Sequence, residues 1–115
     1  MDASFAPRRP PRVPTILVED LHHRLQGRQP SFVLDVREPW EYAEGHVPGA
    51  QLVPLGELEE RVGELPRDRP VYPICHSGHR SLAAAAFLLS QGFPEVSNVD
   101  GGTSAWIERG FPVDR

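Results

Sequence analysis

From Thr15 onward, short apolar runs alternate with amphipathic stretches along the chain. Residues 15–18 predict a short strand, and 31–36 (SFVLDV) a strongly apolar one. Further strands are predicted at 51–53, 70–74 and 96–99. Between them lie one-face helical patterns. Residues 19–26 place Leu21 and Leu25 on one face and stop at Gly27. Residues 38–44 form a short helix closed by Gly45. Residues 56–65 carry Leu58, Val62 and Leu65 at helical spacing. Residues 80–91 end at Gly92, placed to cap the C-terminus, and 103–109 end at Gly110.

Strand-helix alternation with short links predicts an α/β domain with about five strands in a mainly parallel sheet and helices on both faces. In such sheets ligands sit at the carboxyl ends of strands, where loops lead into helices. The chain has 115 residues, 39% hydrophobic and 24% charged, which predicts one soluble domain with a real core. That domain is expected over 15–115. Residues 1–14 hold Pro7, Pro10, Pro11 and Pro14 with Arg8, Arg9 and Arg12, and are expected to form a disordered arm or a docking arm for an acidic partner.

The net charge of -4 disfavours a nucleic-acid or anionic-membrane role. The longest apolar run is eight residues, 82–89, far short of a membrane span. No charged-then-apolar leader is evident, so a reducing cytoplasm is the expected compartment. All 12 basic residues are arginine, which excludes lysine chemistry and points to a GC-rich bacterial genome. The single cysteine, Cys75, excludes an internal disulfide and any zinc site built on several thiolates.

Cys75 stands where the strand 70–74 hands over to the helix 80–91, in the run Cys75-His76-Ser77-Gly78-His79-Arg80-Ser81. Gly78 permits backbone angles that strain other residues. Such a loop turns successive N–H groups inward as an anion nest, and the helix behind it adds its own free N–H groups and positive end. The alanines at 83–86 let that helix approach the sheet closely. A free thiol ionises near pH ~8.5, and a helix terminus is worth up to about 2 kcal/mol. At about 1.4 kcal/mol per pKa unit, the dipole alone brings a nested thiol to roughly 7. A lone intracellular cysteine is most often a small buried apolar residue. This setting instead points to a nucleophile.

The same loop resembles the active-site loop of a rhodanese (sulfurtransferase) domain. Three more blocks carry the resemblance, in the family's order: Leu34-Asp35-Val36-Arg37-Glu38-Pro39-Trp40-Glu41-Tyr42; Gly45-His46-Val47-Pro48-Gly49-Ala50; and Gly101-Gly102-Thr103-Ser104-Ala105-Trp106 with Gly110-Phe111-Pro112. The resemblance spans about 15–113. It implies that the Cys75 thiolate takes the outer sulfur of a donor such as thiosulfate and passes it, as a persulfide, to cyanide or a thiol. No metal or organic cofactor is implied. The loop N–H groups of residues 76–81 would stabilise the anionic persulfide. Arg80, His76 and His79 would favour an anionic donor, ranked below the backbone. Related cysteine phosphatases place five residues between cysteine and arginine; here there are four, 76–79, a cradle that suits sulfur better than a phosphoryl group. Two other roles remain open: a sulfur relay to a partner protein, and a non-catalytic interaction module. A monomer is the default expectation.

Asp35 and Arg37 lie at a strand end. Either Arg37 approaches the donor anion, or the two fix the loop as an ion pair, which is the favoured reading. His46 is expected as a structural hydrogen-bonder rather than a proton shuttle. Trp40 and Trp106 are expected in the core or its rim, and His22 and His23 on a solvated helix face. Pro73 interrupts a strand expected to be central, which predicts an edge or an irregularity there. Val18-Glu19 replaces the family's Ser/Thr-Pro-Glu opening and predicts a weak first N-cap.

Overall fold

The structure is a computed structural model describing residues 12–115. The arm expected over 1–14 therefore lies largely outside the described residues. Its last residues belong to the fold: Val13 packs on the core, and the Pro14 carbonyl accepts the Asn98 N–H at 2.8 Å.

Among the described residues, five strands form in the expected order: β1 (Thr15–Leu17), β2 (Phe32–Asp35), β3 (Gln51–Leu52), β4 (Val71–Ile74) and β5 (Asn98–Asp100). The helices are α1 (Val18–Leu25), α2 (Pro39–Glu44), α3 (Leu58–Arg61), α4 (His79–Ser90) and α5 (Gly102–Glu108). All three ladders are parallel. They form a three-stranded sheet, β3-β2-β4, and a two-stranded sheet, β1-β5. A single bridge, Val71 with Val96, joins them.

Pro73 explains the division. The Val71 N–H donates to the Glu95 carbonyl at 3.0 Å, and the Ser97 N–H donates back to Val71 at 3.1 Å. Alternation puts the Pro73 nitrogen next on that side, opposite Asn98, and proline has no N–H to give. The ladder stops after one bridge. On the other side β4 pairs with β2 through Ile74. The expected continuous sheet is thus a 3+2 arrangement.

Strand alternation sends side chains to two cores. Leu34, Val36, Val71 and Cys75 meet Leu58 and the α4 residues Ala84, Ala85 and Leu88 on one face. Val33, Tyr72, Ile74 and Val99 meet Leu21 of α1 and Trp106 of α5 on the other. These cores are the helix-covered faces of a parallel sheet. Of the four alanines of α4, Ala84 and Ala85 are fully buried and permit the close approach expected of the run, while Ala83 is exposed and Ala86 half-buried.

Four expectations are corrected. The helix expected over 56–65 is broken: 3-10 turns at Leu55–Glu57 and Val62–Glu64 flank the single turn of α3. Gly56 and Gly63 stand inside the two turns and lower helix propensity there. The strand expected at 96–99 begins at Asn98, leaving Val96 as the lone bridge. His22 is half-buried rather than on an open solvated face; its ring stacks on Phe111 at 4.0 Å and meets the edge of Trp106. Trp40 is 65% exposed and belongs to no core, whereas Trp106 is buried as expected. The first N-cap is weak: Leu17 offers no side-chain cap, and Asp20 reaches back to the Leu17 N–H at 3.0 Å.

Candidate active site

Cys75 follows β4 directly, at the carboxyl end of a fully buried strand. The residue is 1% exposed, while its loop neighbours His76, Ser77 and His79 face solvent. Cys75 belongs to the apolar core, yet its sulfur is also met by polar groups. The Gly78 N–H points at Sγ from 3.1 Å, and the Ser81 hydroxyl lies 3.3 Å away. Gly78 has φ +118°, the left-handed turn that starts α4 and aims this amide inward. Ser81, on the first turn of α4, is fully buried. Burial pushes the Cys75 thiol up; the hydrogen bonds from Ser81, both side chain and backbone, and from the Gly78 and Ser77 amides outweigh it, so the thiol ionises below its ordinary value.

The loop is held from behind by α5. The Thr103 N–H donates to the Cys75 carbonyl at 2.8 Å and the Ser104 N–H to His76 at 3.0 Å. These bonds pull the two carbonyls outward, so the peptide N–H groups of His76 and Ser77 face the opposite way. The contact needs glycine. A Cβ on Gly102 would collide with the Cys75 carbonyl oxygen and come within 2.6 Å of the His76 oxygen. Gly102 also has φ +59°.

Arg80 does not hang free over the sulfur. It makes a two-point ion pair with Glu41 of α2, at 2.7 and 2.9 Å. The same Glu41 accepts the Glu38 N–H at 2.9 Å, the reach-back half of a capping box. The Arg80 hydrogen bonds hold the Glu41 carboxyl down at about 2.

Asp35 and Arg37 form a fully buried two-point pair, with Arg37 Nε 2.9 Å and Nη2 2.8 Å from the carboxylate. Arg37 also donates to the Gly45 carbonyl at 2.9 Å. The geometry is the loop-fixing one. His46 Nδ1 lies 2.8 Å from the Tyr42 carbonyl oxygen, and the ring stacks on Tyr42 at 3.6 Å. Its backbone bridges to Asp114. Of the sequence-predicted residues, the structure gathers Cys75, Gly78 and Ser81 at the sulfur and holds Asp35, Arg37 and His46 in the pairings just described.

The sequence reading gave Glu41 and Gly102 no role of their own. The Glu38-x-x-Glu41 spacing after a strand is a capping signal, and the Gly101-Gly102 doublet before a helix signals close backbone approach. A cavity of about 710 Å³ lies elsewhere, lined by Arg24, Arg67, Arg69 and Tyr72 near the amino-terminal ends of the strands. Cys75 does not line it. Among the described residues no group of three His, Cys, Asp or Glu could hold a metal ion.

The fold and loop define a class: α/β domains that carry a buried, hydrogen-bonded cysteine between a central strand and a helix. The chain belongs to the rhodanese-like family, whose domain model matches residues 17–109. It is 39% identical over 95 residues to a sulfurtransferase of Allochromatium vinosum, covering 83% of this chain and 89% of that one. It is 36% identical over 84 residues to the thiosulfate sulfurtransferase GlpE of Stutzerimonas stutzeri, covering 73% and 76%. A rhodanese-related protein from Thermoplasma volcanium superposes with a TM-score of 0.78 at 39% identity, covering 88% of this chain and 97% of that one.

Proposed function

We propose that this chain is a sulfurtransferase that carries sulfane sulfur on Cys75. The thiolate attacks the outer sulfur of thiosulfate or a similar donor. The donor S–S bond breaks, sulfite leaves with the bonding pair, and a Cys75 persulfide anion remains. A second nucleophile, cyanide or a thiol, takes the outer sulfur and returns Cys75 to the thiolate. No electrons are gained or lost by the protein over the cycle.

The observation that supports this reading is the hydrogen-bonded sulfur. One amide is already aimed at Sγ, the thiol donates to the Ser81 hydroxyl, which can turn to donate once the sulfur ionises, and α5 fixes the carbonyls that set the loop. Donors held in place before reaction stabilise developing negative charge at no reorganisation cost. The naming of relatives as sulfurtransferase and thiosulfate sulfurtransferase agrees with it. Asp35, Arg37 and His46 are assigned a supporting role, holding the chain before and after α2. A reducing compartment such as the cytoplasm suits a lone thiol of this kind.

The test is an intact mass after incubation with thiosulfate. One added sulfur is expected, absent in Cys75→Ser and removed by cyanide. A wild-type protein that stays unmodified by thiosulfate and by organic persulfides alike would refute the proposal.

A further inference from the structure

We propose that Glu41, by clamping Arg80 in a two-point ion pair, sets the charge of donor that Cys75 accepts, favouring a weakly charged organic persulfide over the thiosulfate dianion. This rests on the sulfur-carrier reading above and narrows its substrate class.

The charges around the loop carry the inference. Arg80 feels the charge of Cys75, and each of its two terminal nitrogens is spent on Glu41. Arg37, the other arginine near the strand ends, is matched by Asp35 at 2.8 Å. Both guanidinium groups are therefore neutralised. Two further carboxylates border the same loop. Glu38 acts electrostatically on Arg80, and Asp100 Oδ1 stands 3.7 Å from where a Gly78 side chain would begin. Around the loop, where His76 and His79 are the exposed neighbours, the formal negative charges of Glu38, Glu41 and Asp100 outnumber the positive charge of Arg80.

A dianion approaching a thiolate through that rim meets repulsion that a weakly charged molecule does not. The favoured step is Cys75–S⁻ + R–S–SH → Cys75–S–SH + R–S⁻. One S–S bond forms, one breaks, and the leaving thiolate carries the electron pair. Amide donors of the loop act on either donor class; the rim carboxylates separate them.

Glu41 is a positioning residue, so its test reads a ratio. Cys75 is the only cysteine. Its alkylation by iodoacetate, an anion, and by iodoacetamide, its neutral counterpart, is measured at pH 8 and low salt. Dividing the two rates cancels the thiolate population and any general loss of reactivity. Glu41→Gln keeps the acceptor needed by the α2 cap and removes the charge. The iodoacetate-to-iodoacetamide ratio is expected to rise about three- to ten-fold. It should fall in Arg80→Gln and stay near wild type in Glu41→Asp. The ratio of thiosulfate to 2-mercaptoethanol persulfide in loading Cys75 should follow the same order.

An unchanged or lower alkylation ratio in Glu41→Gln overturns the inference, even if wild type loads sulfur well. Alkylation ratios that follow the predicted order in a protein that loads sulfur from no donor would sink the sulfur-carrier reading and establish only the charge effect on the thiolate.

Discussion

Sulfur accepts hydrogen bonds weakly as a thiol and strongly as a thiolate, so the groups around Sγ decide which form the protein holds. Ser81 is the side chain that makes this choice at Cys75. It is fully buried and 3.3 Å from the sulfur. A hydrogen bond to a charged group is worth about 1.5 kcal/mol, about ten-fold in population. Ser81→Ala should therefore cut iodoacetamide reactivity at neutral pH by about ten-fold. The sign is fixed by the lowered thiol: reactivity is held above the folded value and lost as pH falls through it, and in Ser81→Ala that loss begins at higher pH. An alkylation rate profile against pH checks this. The residue scale was partly legible in sequence. Cys75 and the glycine of its loop stood out from their neighbours alone. Arg80 also stood out, but its partner sits 39 positions away, and no local pattern states that the charge is already spoken for.

At the scale of elements, α5 decides the shape of the loop without contributing a side chain to the sulfur. Gly102→Ala tests this. Its methyl would collide with the Cys75 carbonyl, at a left-handed φ that already strains alanine. A loss of about 2–4 kcal/mol in chemical unfolding is expected, with slower persulfide loading in whatever fraction stays folded. Gly110→Ala is the control, since its Cβ meets nothing within 4 Å while its φ is also positive. A Gly102→Ala protein as stable as Gly110→Ala would remove the buttress from this account. The strands and the long α4 were legible because their apolar periods are long or dense. The helix expected over 56–65 failed because three well-spaced apolar residues outweighed two glycines in that reading, and the backbone obeyed the glycines. His22 was misplaced for a related reason: helix periodicity says nothing about an aromatic that returns from Phe111 to cover it.

For the whole molecule, the Arg80–Glu41 pair ties α4 to α2 across the loop, and its effect on stability is pH-dependent. A carboxyl lowered from 4.5 to about 2 contributes fully above the higher value and loses that contribution as pH falls through the lower one. Wild type should melt about 2–4 °C above Glu41→Gln at pH 7. The gap should close between pH 4.5 and about 2, and a gap constant down to pH 2 would show that the charge is irrelevant to folding. Pro73 is the feature of sequence that spoke to this scale. Its presence predicted an irregular strand; that the irregularity would separate two strands from three depends on which neighbour its nitrogen faces, and only the register supplies that.

The division has a mechanical consequence. Cys75 grows out of the three-stranded block, whereas the amides that grip its carbonyl and that of His76 belong to the helix leaving the two-stranded block. The reactive loop is a clasp fastened across a joint that has one rung of backbone pairing beneath it. What joins the halves beyond that rung is side-chain packing, with Val33, Tyr72 and Ile74 of one block and Ile16 and Val99 of the other in a single core, so the loop's shape rests on the packing of that core.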